Sequence, residues 1–316
     1  MIRCRIFFMF LFCVSQSAYA QEIAFTVAEK DLIPEGIAID SLEGKFYLSS
    51  IYKNKIIEVS KGRAKDFIAS NSHGFVGGGG LHVDAERRIL WACSGNIMGN
   101  KFTTGLFAFD LKTRKLLKKI FYPIDTVPRF FNDLVIAREG SVYVTDTFDH
   151  SIWKFNLSMD MPSKLMLSDS LLYPNGIEIS PDNQFLISTS DKGLQRINLQ
   201  SGEMTLIQMP AQSISSFGLD GIGWYKNSII GIQNHRNKSE TKIVRYYLTE
   251  DCRAVEKTEV IDMGNKYFNV PTTLAISGNE LFIIANSQLD NLNQENLKIL
   301  KPKELSKTVV LRYYLK

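Results

Sequence analysis

Four residues of this chain could donate an oxygen to a metal from matching places in a repeat: Glu35, Asn132, Asn175 and Asp220. Each opens a short apolar run: Pro34-Glu35-Gly36-Ile37-Ala38-Ile39, Phe131-Asn132-Asp133-Leu134-Val135-Ile136, Pro174-Asn175-Gly176-Ile177-Glu178-Ile179 and Leu219-Asp220-Gly221-Ile222-Gly223-Trp224. Brought together they offer two carboxylates, which offset a divalent charge, and two amide oxygens, which add ligands without repulsion. Calcium, with about six to eight oxygen neighbours, suits such a set. Magnesium or another divalent cation could use the same oxygens, with tighter geometry. Zinc favours His or Cys, and neither leads a run. Asn-Gly and Asp-Gly are also ordinary turn formers. That explains Asn175-Gly176 and Asp220-Gly221 singly, but not four equivalent positions of complementary charge.

The elements that must position these residues are repeats. Two further runs, Gly79-Gly80-Leu81-His82-Val83 and Thr272-Thr273-Leu274-Ala275-Ile276, complete a set of six. The lead residues, 35, 79, 132, 175, 220 and 272, are 44, 53, 43, 45 and 52 apart. Units of this length, each rich in short strands, are the mark of a propeller. Strand signals follow each lead, as in Ser141-Val142-Tyr143-Val144, Ile152-Trp153-Lys154-Phe155 and Lys164-Leu165-Met166-Leu167. No long stretch shows a 3.6-residue period, so helices should be nearly absent. The expected fold is all-β: a six-bladed β-propeller of four-stranded blades formed by residues 21–316. The sixth unit ends at Val309–Tyr314 one strand short, and Ile23–Val27 is a strand without a blade. Pairing the two would close the ring and leave no raw edge.

In such blades the step into the innermost strand and the loop after the second strand share a face. Glu35, Asn132, Asn175 and Asp220 would meet there around the axis, with His73, His150 and His235 in the surrounding loops. His82 falls inside an inner strand, as a packed or tunnel-lining residue. Phe130, Phe131, Phe217 and Tyr267 are candidates for an apolar rim, or for packing between blades.

Residues 1–20 read as an export signal: Arg3 and Arg5, an apolar run from Ile6 to Val14, then Ala18-Tyr19-Ala20 before Gln21. The run is too short to span a bilayer, so an exported, periplasmic or secreted protein without a membrane span is expected. Without Arg3 and Arg5 the 37 basic residues become 35 against 33 acidic ones. That balance gives no footprint for nucleic acid. Cys93 and Cys252 remain of the four cysteines and are expected as two free thiols. A small-molecule substrate and a monomer are expected.

Phe131-Asn132-Asp133, Tyr173-Pro174-Asn175-Gly176-Ile177, Ser180-Pro181-Asp182 and Asp220-Gly221 resemble the senescence marker protein, gluconolactonase and luciferin-regenerating enzyme family. Paraoxonases and strictosidine-synthase-like proteins are similar at the same places. Pro271-Thr272-Thr273 and Ile284-Ala285-Asn286-Ser287 look most like its exported, gluconolactonase-like bacterial branch. The resemblance spans the chain beyond the signal. It implies that Glu35, Asn132, Asn175 and Asp220 surround a catalytic calcium, that lactones or related esters are hydrolysed, and that Asp220 is a base. The chain departs from the sugar-lactonase pattern at Phe130-Phe131, where Arg-Phe is expected and Arg129 stands one place back. The slot of the paraoxonase histidine dyad is filled by Gly77 to Gly80.

The reading that follows is a calcium-dependent hydrolase of lactones or esters. Asp220 cannot be a strong ligand and a free base at once, which brings in Asp146 and Asp133 as alternative bases. Asn132, His150, His235 and Phe130 are the candidates for substrate contact. A non-catalytic binding propeller pinned by a structural calcium is the rival reading. A lyase or condensing enzyme is a third, without a specific signal for its catalytic acid.

Overall fold

The structure is a computed structural model that describes residues 19–293 and 295–316. The expected signal lies outside the described residues except for Tyr19 and Ala20. Six four-stranded antiparallel sheets follow one another along the chain. Their innermost strands are Pro34–Asp40, Gly78–Asp84, Phe131–Ile136, Ile177–Ile179, Leu219–Tyr225 and Leu274–Ser277. Each packs against the next, and the sixth against the first, which closes a ring around a central axis. The only helical pieces among the described residues are four turns of 3-10 helix. No helix there is long and apolar enough to cross a membrane.

Closure follows the expected route. Gln21–Val27 pairs antiparallel with Thr308–Tyr314, from Gln21 opposite Tyr313 to Val27 opposite Thr308. The last blade therefore takes its outermost strand from the start of the chain. Glu22 forms an ion pair with Arg312 across this seam.

Strand alternation places one apolar face of each blade against the next, so the core is six clusters between blades rather than one centre. Phe25, Leu48, Ile57, Phe282 and Val310 fill the gap between blades six and one. Trp91, Leu106, Phe131, Val144 and Phe155 fill that between two and three. Phe131 is fully buried there and so belongs to the core, not to a rim. Cys93 and Cys252 are free and buried.

A seventh, smaller cluster lies over the first blade. The segment between the second and third strands of blade six, Glu280–Ile284 and Thr308–Tyr314, sets Leu292 and Leu305 on Ile33, with Leu289, Leu297 and Ile299 around them. This insertion, which in sequence reads as a polar loop, therefore clamps the backbone just before Glu35.

Candidate active site

Four inner strands begin with a local irregularity in their pairing. Pro34 faces Ser50 while Ile37 faces Leu48, so Glu35 and Gly36 stand opposite Ser49 alone. Gly79-Gly80, Asn132-Asp133 and Asp220-Gly221 stand in the same two-against-one relation to Cys93, Thr145 and Ile232. These are β-bulges, which bend a strand and re-aim a side chain. In blade four, Asn175-Gly176 precedes its strand and is held by Thr189, whose N–H donates to Gly176 O at 2.9 Å.

Hydroxyls at the bulges tie one blade to the next. Ser49 Oγ accepts the Gly36 N–H at 2.8 Å and donates to Gly79 O at 2.6 Å. Thr145 Oγ1 accepts the Asp133 N–H at 3.1 Å and donates to Asn175 O at 2.7 Å. Thr272 and Thr273 both donate to Glu35 O, at 2.8 and 2.6 Å. The carbonyls of lead residues are thus held by the preceding blade, which fixes the side chains they carry. Glycine follows the lead for a steric reason: a Cβ on Gly36 would lie 2.3 Å from Gly79 O, and one on Gly176 2.6 Å from Asp220 O.

Two of the sequence-selected side chains, Asn175 and Asp220, are in direct contact. Asn175 Nδ2 donates to Asp220 Oδ1 at 2.8 Å, and Asn234 Nδ2 lies 3.3 Å from Asp220 Oδ2 and 2.7 Å from Pro271 O. Asn132 Nδ2 donates to Thr147 Oγ1 at 3.0 Å, and Thr147 Oγ1 donates to Pro174 O at 2.8 Å. Both amides thus spend an N–H on a neighbour and leave the carbonyl oxygen free of any protein donor among the described residues. Glu35 is buried, and its Oε2 has no hydrogen-bond partner there. Burial, with the charges of Asp220 and Asp133, holds the Glu35 carboxyl well above the ordinary carboxylate range. Burial pushes Asp220 up to about 7, against the lowering effect of the Asn175 hydrogen bond.

The other candidates occupy distinct places. Asp133 accepts the Leu134 N–H at 2.8 Å and lines a narrow cavity of about 30 Å³ further down the axis, where burial raises it to about 7. Asp146 is fully buried under its loop and accepts N–H groups from Phe130 at 2.7 Å and Asp149 at 3.3 Å. Burial raises it to about 6. Phe130 is half-buried beside the site, and the His150 ring packs edge-on against Tyr173 at 4.8 Å. His235 Nδ1 accepts the Asn237 N–H at 3.1 Å in an exposed loop. The His73 ring lies 6.1 Å from Phe109, on the packing between blades one and two.

Two contributors, Asn234 and Thr147, lie in loops that the sequence places on this face but are not among its candidate site residues. Both occupy the first position after the second strand of their blade, since Gln233 pairs with Leu219 as Asp146 pairs with Phe131. That repeat-equivalence was the available signal.

Among the described residues no group of three or more His, Cys, Asp and Glu side chains forms a metal cluster. The candidate donors Glu35, Asn132, Asn175 and Asp220 are instead mixed, two carboxylates with two amides. Unclaimed amide oxygens and an unpartnered buried carboxylate fit a hard cation, which would satisfy them without further protein donors.

The fold is a six-bladed β-propeller of four-stranded blades. The chain belongs to the SMP-30/Gluconolactonase/LRE-like family, whose profile matches residues 33–206, the first four blades. No curated protein sequence matches it significantly. Among solved structures it is similar to a gluconolactonase from Xanthomonas campestris, at 12% identity and TM-score 0.59, covering 92% of this chain and 89% of that one. A virginiamycin B lyase from Staphylococcus aureus, in a catalytically inactive form with quinupristin, matches at 16% identity and TM-score 0.61, over 94% and 100%. A PQQ-bound aldose sugar dehydrogenase from Streptomyces coelicolor matches at 13% identity and TM-score 0.60, over 93% and 98%. Hydrolase, lyase and dehydrogenase share this architecture, so the reaction must be argued from the site.

Proposed function

We propose that the protein is a calcium-dependent hydrolase of lactones or related esters. The observation that carries this reading is the buried, unpartnered Glu35 carboxylate facing Asp220 beside two amides whose carbonyl oxygens are unclaimed. Two carboxylates so close cannot both ionise in a dry site without a compensating cation. Glu35, Asn132 and Asn175 would hold it, and Asp220 only loosely, since it must also serve as the base. A bound calcium would supply Lewis acidity to a carbonyl oxygen and stabilise the charge that develops there.

The chain's own residues would orient and move protons. Asn175 and Asn234 hold the two oxygens of Asp220 in place, so its carboxylate is presented in one orientation toward a water. Asp220 takes a proton from that water as its oxygen bonds to the carbonyl carbon. The ring C–O bond then breaks, the proton passes to the departing oxygen, and a hydroxy acid results. Asp146 is an alternative base: two backbone N–H groups hold its Oδ1, and its buried Oδ2 has no hydrogen-bond partner among the described residues. Asp133 lies below the site and is the reserve base.

The test is turnover of a lactone and aryl-ester panel with calcium, after chelation, and in Asp220→Asn. The amide keeps an oxygen ligand but accepts no proton. Retained calcium binding with a rate loss of at least roughly 100-fold supports Asp220 as base. Near-normal turnover in Asp220→Asn would make it a ligand only. Calcium binding with no turnover across the panel would remove the hydrolase reading and leave a binding propeller.

A further inference from the structure

The mouth of the axial site is two-sided. Blade two rises on one side: its second and third strands, Ile89–Met98 and Lys101–Asp110, run ten residues each, against five for both in blade three. They stay paired as far as Met98 opposite Lys101. From this raised hairpin the Phe102 ring meets Phe148 at 5.3 Å. Phe148 lies 6.3 Å from both Phe130 and Tyr173, each near edge-to-face, and Tyr173 meets His150. Tyr173 is 45% exposed, so the stack is open to solvent at its end.

The rings are tied to the candidate ligands. Phe130 and Tyr173 each stand two residues before a ligand, Asn132 and Asn175. Phe148 follows Thr147, whose hydroxyl accepts from Asn132 and donates to Pro174 O. Glycine at position 95 makes room for the Phe130 ring, which a Cβ there would approach to 3.0 Å. Across the mouth, blades five and six present polar groups already engaged with each other. Asn234 is spent on Asp220 and Pro271, and Lys238 on Asn269 and Asp290.

We infer that the substrates are lactones or esters carrying an aryl ring, seated on this wall with the carbonyl over the axial oxygens, rather than polyhydroxylated sugar lactones. The inference rests on the hydrolase reading for its carbonyl and on the ring stack for its aryl group. Aromatic rings pair favourably edge-to-face or offset and carry a large apolar area. A sugar's hydroxyls would instead lose water against ring faces whose only polar atoms are the Tyr173 hydroxyl and the His150 nitrogens.

Two readouts test it. The first is kcat/KM for dihydrocoumarin against δ-gluconolactone, in the wild type with calcium and in Phe148→Ala and Phe102→Ser. The expected result is a wild-type preference for dihydrocoumarin of roughly tenfold or more, with KM for it raised about five- to tenfold in both variants. A preference for δ-gluconolactone, or an unchanged KM for dihydrocoumarin in both variants, overturns the inference. The second is binding of chroman, an aryl ring ether without an ester, by ligand-observed NMR. If nothing is turned over but chroman binds and is weakened by Phe148→Ala, the hydrolase reading fails and the aryl wall stands. If chroman does not bind, or binds both folded variants as well as the wild type, the wall is wrong. Melting curves confirm that each variant is folded.

Discussion

The two ends of the axis are built from the same six strands and differ in kind. At the upper end, Glu35, Asn132, Asn175 and Asp220 occupy repeat-equivalent positions, three of them in bulges, and Asn175 touches Asp220. At the lower end a cavity of about 260 Å³ is lined mainly by repeated apolar residues such as Ile37, Leu81, Leu274 and Ile276. Its ionisable residues, His82 and Glu178, are single departures from that pattern, shifted by burial to about 4 and about 8. Backbone conformation differs in the same sense. The lower turns place left-handed φ on Gly44, Arg88, Gly140, Asn183, Lys226 and Gly278, half of them glycine. The steps into the upper end place it on Ile33, Gly77, Tyr173, Gly218 and Val270, where two β-branched residues and a tyrosine bear conformations that L-residues resist. Polarity repeated around a ring, together with backbone strain, distinguishes the end at which the proposed chemistry would take place.

The sharpest way to break this contrast is to remove one carboxylate from each end. Glu35→Ala is expected to weaken calcium binding and lower turnover by roughly 100-fold or more, as losing a ligand costs more than losing its supporting shell. Glu178→Gln is expected to change turnover by less than about threefold, because its carboxyl lines a different cavity. Calcium titration and lactone kinetics on both variants check this, and equal losses would erase the distinction.

pH and chelation give the next largest effect. Glu35, Asp220, Asp133 and Glu178 all have carboxyls raised in the folded state, chiefly by burial. Raised folded values mean that their protonated forms are the stabilising ones. Without cation, that contribution is complete below about pH 4, the unfolded carboxylate range, and is lost as pH rises through about 7 to 8. The chelated protein should therefore melt lower at pH 8 than at pH 5. Calcium at about 100 times its Kd should restore about 2.7 kcal/mol at pH 8, some 5–10 °C in Tm, and little at pH 5. An equal calcium effect at both pH values would dissociate these carboxyls from cation binding.

The smallest effect concerns strain. Val270→Asn puts a residue that tolerates left-handed φ two places before Thr272, outside the candidate ligands. It should stabilise by about 0.5–1 kcal/mol, or roughly 2 °C, measured by thermal melting. A loss of stability would show that the Val270 side chain contributes more than its backbone costs.

The fold was legible because it is written as a period. Strand alternation and lead-residue spacing specify blades, and blade equivalence alone brings Glu35 to Asp220 across 185 residues of sequence. The support around them was not legible. That Thr147 and Asn234 orient ligands depends on where the second strand ends, a boundary strand patterning leaves loose by a residue or two. The aryl wall depends on how far the hairpin of blade two stays paired above the face, which pairing across the blade decides. Ile33 has no local preference for positive φ; the insertion of blade six packs it there.

The seam between Gln21–Val27 and Thr308–Tyr314 has a kinetic meaning. Most strand pairs in this molecule join neighbours in sequence, and such hairpins form early and locally. Glu22 and Arg312, by contrast, are 290 residues apart, so bringing them together pays the loop-closure entropy of nearly the whole chain. Closure is then the late step of folding, after which blade six, like the other five, ends in a single outer strand. Until it occurs, Thr308–Tyr314 offers an open edge rich in Val, Leu and Tyr, so the unclosed ring is the species most exposed to aggregation. One seven-residue strand thus sets both the tempo of folding and the interval of greatest risk.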